Sequence, residues 1–311
     1  MPIRLERHGT GPDSRPSPCH ERTIETAYTA GWDRIREERF QRMRRLGVID
    51  ERYPFPPRPA GVPAWEEAEK KAEWARLMAV YAAMIDRMDQ GIGRILRALD
   101  DTGERENTVI FFLSDNGGTA ETVAGRKLND PSVPIGSRGS YVAYLEPWAN
   151  VSNTPFRLYK NWLHEGGIIT PLIVNWPGRI SEPGRLTDGV GHVIDLMPTV
   201  LELTGARYPA AMNAGPLKPL EGRSLAPFFR GGAEGRRTPL YWAHGGNWAI
   251  RDGDWKLALD GRQPGRPELF NMAEDPAESR DVAPQHPARV AELQGRWEAW
   301  ARRMGAREAR P

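Results

Sequence analysis

The stretch "TVIFFLSDNGG", residues 108–118, decides how the rest of the chain is read. Five apolar residues, Val109 to Leu113, end abruptly in Ser-Asp-Asn-Gly-Gly. An Asn-Gly pair after a strand is a strong hairpin signal, and an ordinary turn is one reading. Two features favour the other. A hairpin strand wetted on one face alternates apolar and polar residues, which "VIFFL" does not, and a polar loop follows Gly118 where a pairing strand is required. A strand covered on both faces would carry Asp115 and Asn116 at its carboxyl end, where ligands bind in open α/β sheets. A carboxylate beside an amide oxygen suits a hard cation such as Ca²⁺, or Mg²⁺, and not zinc.

The flanks extend the α/β pattern. Upstream, a helix is expected from about Trp65 to Leu99, since Leu77, Tyr81, Met84, Met88, Ile92, Ile95 and Leu99 recur at i+3 and i+4. An earlier helix is expected through Trp32, Ile35, Phe40 and Met43, separated from it by the Pro-rich "YPFPPRPAGVP". Downstream, residues 120–153 read as one long loop rich in Gly, Pro, Ser and Asn, a length that usually signals function. A second apolar strand, "PLIVNW", and a helix in "GHVIDLMPTVLELTG" follow, the latter closed by Gly205. The last part changes character: "PLYWAHGGNWAIRDGDWKLAL" reads as strand, turn, strand with Asp252-Gly253 as the hairpin signal, "ELFNM" as one more strand, and 286–304 as a helix. The expected division is an atypical or disordered 1–26, an α/β unit over 27–235, and a small antiparallel sheet with one covering helix over 236–311.

Composition excludes several classes. The 311 residues are 39% hydrophobic and 27% charged, with 43 basic against 41 acidic side chains and no basic block, so neither a nucleic-acid surface nor a membrane span is expected. The single cysteine, Cys19, rules out an intramolecular disulfide. Residues 1–22 lack the apolar core of an export signal, and the compartment stays open.

Only six residues are Lys, so Lys160 carries weight. It lies among Phe156, Tyr159 and Trp162, just before Glu165-Gly166-Gly167 and a buried strand. A solvated lysine is the bland alternative to a cation that neutralises sulfate or phosphate. His164 either bonds the substrate or holds the loop, the second being favoured; on a helix it would share the face of Lys160. His192 reads as a capping residue, and His244 as packing more readily than as a cleft lining.

Taken in order, "NTVIFFLSDNGG", "SNTPFRLYKNWLHEGGIITPLIVNWPG", "GHVIDLMPTVLELTG", "LEGRSLAPFFRG" and "AIRDGDWKLAL…ELFNMAEDPAE" resemble the sulfatase family of the alkaline-phosphatase-like superfamily, close to bacterial arylsulfatases. The resemblance runs from about Ala27 to the end. It implies an alkaline-phosphatase-like α/β fold, with a mixed or parallel sheet layered by helices, and hydrolysis of sulfate esters on small molecules or glycans. It implies further that Asp115 and Asn116 are the family's second pair of calcium ligands and that Lys160 contacts the sulfate. Ile169 departs from the Arg or small polar residue common after Glu-Gly-Gly-Ile.

The larger departure lies ahead of these segments. Family members open on a strand with two metal-binding aspartates, then a Cys- or Ser-x-Pro-x-Arg motif whose first residue becomes the formylglycine nucleophile. Nothing of this precedes the matching segments, and Cys19 is followed by His-Glu-Arg. The expectation is a chain that joins the fold partway and is catalytically incomplete. It should expose a sheet edge and apolar surface suited to a partner chain. A non-catalytic sulfatase-like binding protein and a phosphate or phosphonate ester hydrolase are the competing readings.

Overall fold

Residues 26–123, 129–180, 182–212, 215–232, 238–262 and 265–306 are described by a computed structural model. Residues 1–25, with Cys19 and nearly all of the expected atypical segment, lie outside them. The first long helix, α1 (Trp32–Arg45), forms where the apolar spacing predicts it and buries Trp32, Arg36, Phe40 and Met43. Its ends suit the helix dipole, with Asp33 in the first turn and Arg42, Arg44 and Arg45 in the last. Asp33 also anchors the Pro-rich connector, bonding Arg58 through Oδ1 and accepting the Trp65 N–H through Oδ2.

The long helix α2 runs Lys71–Asp101, starting later than the periodicity suggests because Lys70 adopts a left-handed φ of 52° and Trp65–Glu67 forms a separate single turn. Its apolar stripe is not buried along its length. Ala75, Leu77, Met78 and Ala79 pack into the core, whereas Met84, Met88 and Ile95 are 66%, 48% and 63% exposed. Periodicity reports that a helix has an apolar face, and only the start of α2 meets a layer able to cover it.

The loop expected over 120–153 is corrected by the structure: Leu145–Asn153 is a helix, α3. At nine residues with a Pro in its first turn it offers too few apolar repeats to be seen, yet it centres the main core. Trp148 is fully buried, edge-on to Trp32 and Tyr28, with its indole N–H on the Trp74 carbonyl.

Two strands carry the site. β1 (Ile110–Leu113) and, after the short helical turn α4 (Glu165–Ile168), β2 (Leu172–Asn175) pair antiparallel with Ile110 opposite Asn175. Both are half-buried, not fully covered as their unbroken apolar runs suggest. One side packs Phe111, Leu172 and Val174 against Leu225 and Phe229. Those partners come from beyond α5 (Leu196–Thr204) and the two-residue strands β3 (Ala211–Met212) and β4 (Gly215–Pro216), Phe229 closing the one-turn α6 (Ala226–Phe229).

The C-terminal sheet is antiparallel in the order β5-β6-β7-β8: Leu240–His244, Asn247–Asp252, Trp255–Leu259 and Glu268–Asn271. Gly245 and Gly246, at φ 56° and 88°, form the two-residue β5–β6 turn, which needs positive φ at both positions. Helix α7 (Pro287–Met304) buries Leu293, Trp297 and Ala301 against this sheet. No helix among the described residues is long and apolar enough to cross a membrane.

If α3 centres the core as the burial of Trp148 indicates, Trp148→Ala should cost about 3–5 kcal/mol of stability. Urea unfolding followed by far-UV circular dichroism measures this, and a loss under about 1 kcal/mol would contradict it.

Candidate functional site

Asp115 and Asn116 leave the end of β1 on a loop whose shape the chain fixes itself. Ser114 Oγ donates to the Asn116 carbonyl (3.0 Å), and Thr170 Oγ1 beyond α4 donates to the Ser114 carbonyl (2.9 Å). The loop is then joined by backbone to the segment bearing Lys160. Gly117 N–H donates to the Gly167 carbonyl and Lys160 N–H to the Gly118 carbonyl, each at 3.0 Å. A Cβ on Gly117 would collide with the Gly166 carbonyl, and one on Gly166 with the carbonyls of Arg157 and Leu158. The paired glycines of both motifs are therefore what lets two backbones touch.

Asn153, at the end of α3, completes the junction. Its Oδ1 accepts the Gly118 N–H (2.7 Å), while its Nδ2 donates to the carbonyls of Leu158 (2.9 Å) and Gly166 (2.8 Å). One buried amide thus satisfies both motifs. Sequence reading passed it over because Asn153 sits in a stretch that resembled loop.

Asp115, Asn116 and Lys160 line the same open cleft of about 1720 Å³, together with Asn161, Trp162, His244 and Arg251. The Asp115 carboxylate is exposed and makes no hydrogen bond or ion pair among the described residues. Asn116 spends its Nδ2 on the neighbouring Gly117 carbonyl (2.8 Å), which leaves its Oδ1 available. Two available hard oxygens, one of them charged, fit Ca²⁺ or Mg²⁺ in kind. They fall short of six to eight oxygens in number, and no cluster of three or more His, Cys, Asp or Glu suited to a metal occurs among the described residues.

Lys160 is half-exposed, with Nζ 3.5 Å from Glu121 Oε2. His164 does not join it. The segment between them is not helical, and His164 caps α4 with 1% of its surface exposed. Its Nε2 lies 2.7 Å from Glu268 Oε2, and its Nδ1 is buried without a hydrogen bond. Arg157 reaches the same Glu268 oxygen at 2.7 Å. Burial raises the Glu268 carboxyl, but His164 and Arg157 outweigh it and bring the pKa down to about 2. His192 caps the turn before α5 through a reciprocal bond pair with Asp195, and His244 is exposed, its Nε2 3.2 Å from Asn161 Oδ1.

Beneath α4 lies a fully buried ion-pair network. Lys256 Nζ on β7 donates to Glu165 Oε1 at 2.6 Å and stands 2.7 Å from Glu278 Oε1, the latter pair outside hydrogen-bond angles. Glu278 Oε2 also accepts the Glu165 N–H. Burial pushes the Glu165 carboxyl up, and Lys256, with Arg251 and His164, more than reverses that and holds it below its ordinary range. Nothing in "GDWKLAL" distinguishes Lys256 from a strand lysine facing water, and only the fold brings it under Glu165.

The string Ser181-Glu182-Pro183-Gly184-Arg185 does match Ser-x-Pro-x-Arg, a match the sequence reading passed over. Ser181 lies outside the described residues. Arg185 is committed to the carbonyls of Phe228 and Gly231 and pairs with Glu182 at 3.4 Å, so its guanidinium holds a surface loop.

Solved structures share this fold. The crystal structure of Ps i-CgsB in complex with k-i-k-neocarrahexaose superposes with a TM-score of 0.54 at 23% identity, covering 87% of this chain and 54% of that one. The structure of BT4656 in complex with its substrate D-glucosamine-2-N,6-O-disulfate gives 0.52 at 21% identity, covering 76% and 43%. The sulfatase family model matches residues 19–206, more than half of the chain, and the C-terminal model of N-sulphoglucosamine sulphohydrolase matches 156–299. This chain belongs to the sulfatase family. It is 31% identical over 288 residues to an uncharacterized sulfatase of Schizosaccharomyces pombe, covering 87% of this chain and 52% of that protein. It is 33% identical over 226 residues to the arylsulfatase of Klebsiella aerogenes, covering 68% and 48%. The chain thus spans about half the length of these relatives.

Because the Glu268 carboxyl is lower in the folded chain than its ordinary 4.5, it adds stability above pH 4.5 that is lost as pH falls toward 2. The stability gap between the native chain and Glu268→Gln should therefore narrow over that range. Urea midpoints measured from pH 6 to pH 2 check this, and a gap that does not change with pH would refute the assignment.

Proposed function

We propose that this chain provides a calcium- and sulfate-binding part of a sulfatase site acting on sulfated small molecules or glycans. The observation that carries the reading is that two available hard oxygens, on Asp115 and Asn116, and the ammonium of Lys160 line one cleft on two loops joined by backbone hydrogen bonds. Asp115 and Asn116 would hold the cation, which when bound would offset charge on the sulfate oxygens. Lys160 would meet a non-bridging sulfate oxygen as a point charge with three donors. Trp162 and His244 border the same cleft and would bound the alcohol portion of the ester. His164 would act only through the loop, since it is buried on Glu268.

Sulfate-ester cleavage also needs a nucleophile. The family's motif for it is not found ahead of the matching segments, and Arg185 in the one matching string serves a loop. We therefore assign this chain binding with absent or very weak turnover. A non-catalytic sulfatase-like protein is the second reading, favoured by the same observation. The exposed face of α2 at Met84, Met88 and Ile95 supports a partner chain within either reading.

Calorimetric titration of the full chain with Ca²⁺ should show weak binding that Asp115→Ala removes; binding that survives the substitution would show the assignment to be wrong. Assays with 4-nitrophenyl sulfate should then detect binding with little or no nitrophenol release. Rapid release would overturn the incomplete-site reading, and release from a phosphonate ester alone would favour phosphonate hydrolysis.

A further inference from the structure

Glu121 is held from several directions beside Lys160 and Asn161, two residues that line the cleft. Asn161 Nδ2 donates to its Oε1 at 2.9 Å, Thr119 Oγ1 donates to its Oε2 at 3.2 Å, and Lys160 Nζ stands 3.5 Å from that same Oε2. Asn161 is itself fixed: it takes a left-handed φ of 81°, which Asn tolerates better than most residues, and its Oδ1 meets His244 Nε2 at 3.2 Å. Its carbonyl accepts from Asn247 Nδ2 in the β5–β6 hairpin. The Asn161 hydrogen bond, against some burial and with help from Lys160, keeps the Glu121 carboxyl below its ordinary range. A carboxylate so placed is a fixed negative charge beside the one ammonium assigned to the ligand.

We propose that Glu121 is a specificity-determining residue, favouring singly charged oxyanion esters over doubly charged ones at Lys160. This rests on the reading of Lys160 as the oxyanion contact. Any anion arriving at Nζ must share it with Glu121 Oε2 and feels that charge at short range. The repulsion scales with the charge of the ligand. A sulfate monoester carries one negative charge, whereas a phosphate monoester carries about 1.5 to 2 near pH 7. Discrimination built on a repulsive group needs no additional contact to the favoured ligand. The interaction is half-exposed, so its size is that of a surface pair, roughly 0.2–1 kcal/mol per ligand charge.

The test is equilibrium binding of 4-nitrophenyl sulfate and 4-nitrophenyl phosphate to the full chain at pH 7.5, without divalent metal. It is followed through the Lys160 side-chain NMR signal in the native chain and Glu121→Gln, and through tryptophan fluorescence in Lys160→Met. Glu121→Gln should tighten both ligands and the phosphate more, narrowing the sulfate-to-phosphate affinity ratio by roughly 1.5- to 5-fold. Lys160→Met should lose both. Unchanged binding in Lys160→Met would overturn the assignment of Lys160 itself. Loss in Lys160→Met with an equal shift of both ligands, or none, in Glu121→Gln would overturn the charge discrimination alone. Failure of both the native chain and Glu121→Gln to bind either ester would also overturn it.

Discussion

The buried ammonium of Lys256, enclosed by Glu165 and Glu278, is the interaction on which the rest of the site depends. Burying one cation with two carboxylates is expensive, and it is tolerated only where partners are close and remaining lone pairs are used. The first condition holds, with Glu165 bonded at 2.6 Å and Glu278 Oε1 at 2.7 Å, and the second holds in part: one Glu278 oxygen takes the Glu165 backbone N–H, while the other has only the charge of Lys256. The consequence is positional. Glu165 opens α4, α4 presents the Gly166 and Gly167 carbonyls, and those carbonyls receive Asn153 Nδ2 and the Gly117 N–H. The C-terminal sheet therefore reaches the Asp115–Asn116 loop through charge pairing and hydrogen bonds.

That chain of contacts explains why the two glycine pairs occur where they do. Gly117, Gly166 and Gly167 stand where two stretches of main chain meet too closely for a Cβ, and Gly118 where a Cβ would meet the Tyr144 hydroxyl. The acidic residue before Gly166 is then the handle by which the C-terminal sheet holds the turn. Buried His164 and partly exposed Arg157 converge on Glu268 of β8, a second link between this segment and the C-terminal sheet.

Local signals in the sequence identified much of the framework. The spacing of Trp32, Phe40 and Met43, the Asp252-Gly253 turn and the position of Gly205 are local and survive into the structure. Features that depend on distant partners were not legible. The start of α2 is buried and the remainder of its apolar stripe is not, because packing is decided by layers that periodicity cannot see. α3 was read as loop because its nine residues yield one dominant anchor, Trp148. Asp115, Asn116 and Lys160 could be singled out because each sits next to an abrupt change of pattern. Asn153, Glu121, Lys256 and Glu278 could not, since each depends on a partner that lies 13 to 113 residues away along the chain.

The two lysines that shape the site divide its work by exposure. Lys256 has no accessible side-chain surface, and removing one member of such a buried pair typically costs about 3–5 kcal/mol because a charge is left without compensation. It cannot exchange partners and so fixes geometry. Lys160 keeps 41% of its side chain exposed and holds Glu121 at 3.5 Å, a pairing whose worth is no more than about 1 kcal/mol. An oxyanion can offer Lys160 a closer, charge-assisted contact without dismantling the fold. In the proposed reading, ligand exchange therefore belongs to the exposed lysine, on a loop whose backbone the buried one keeps in place.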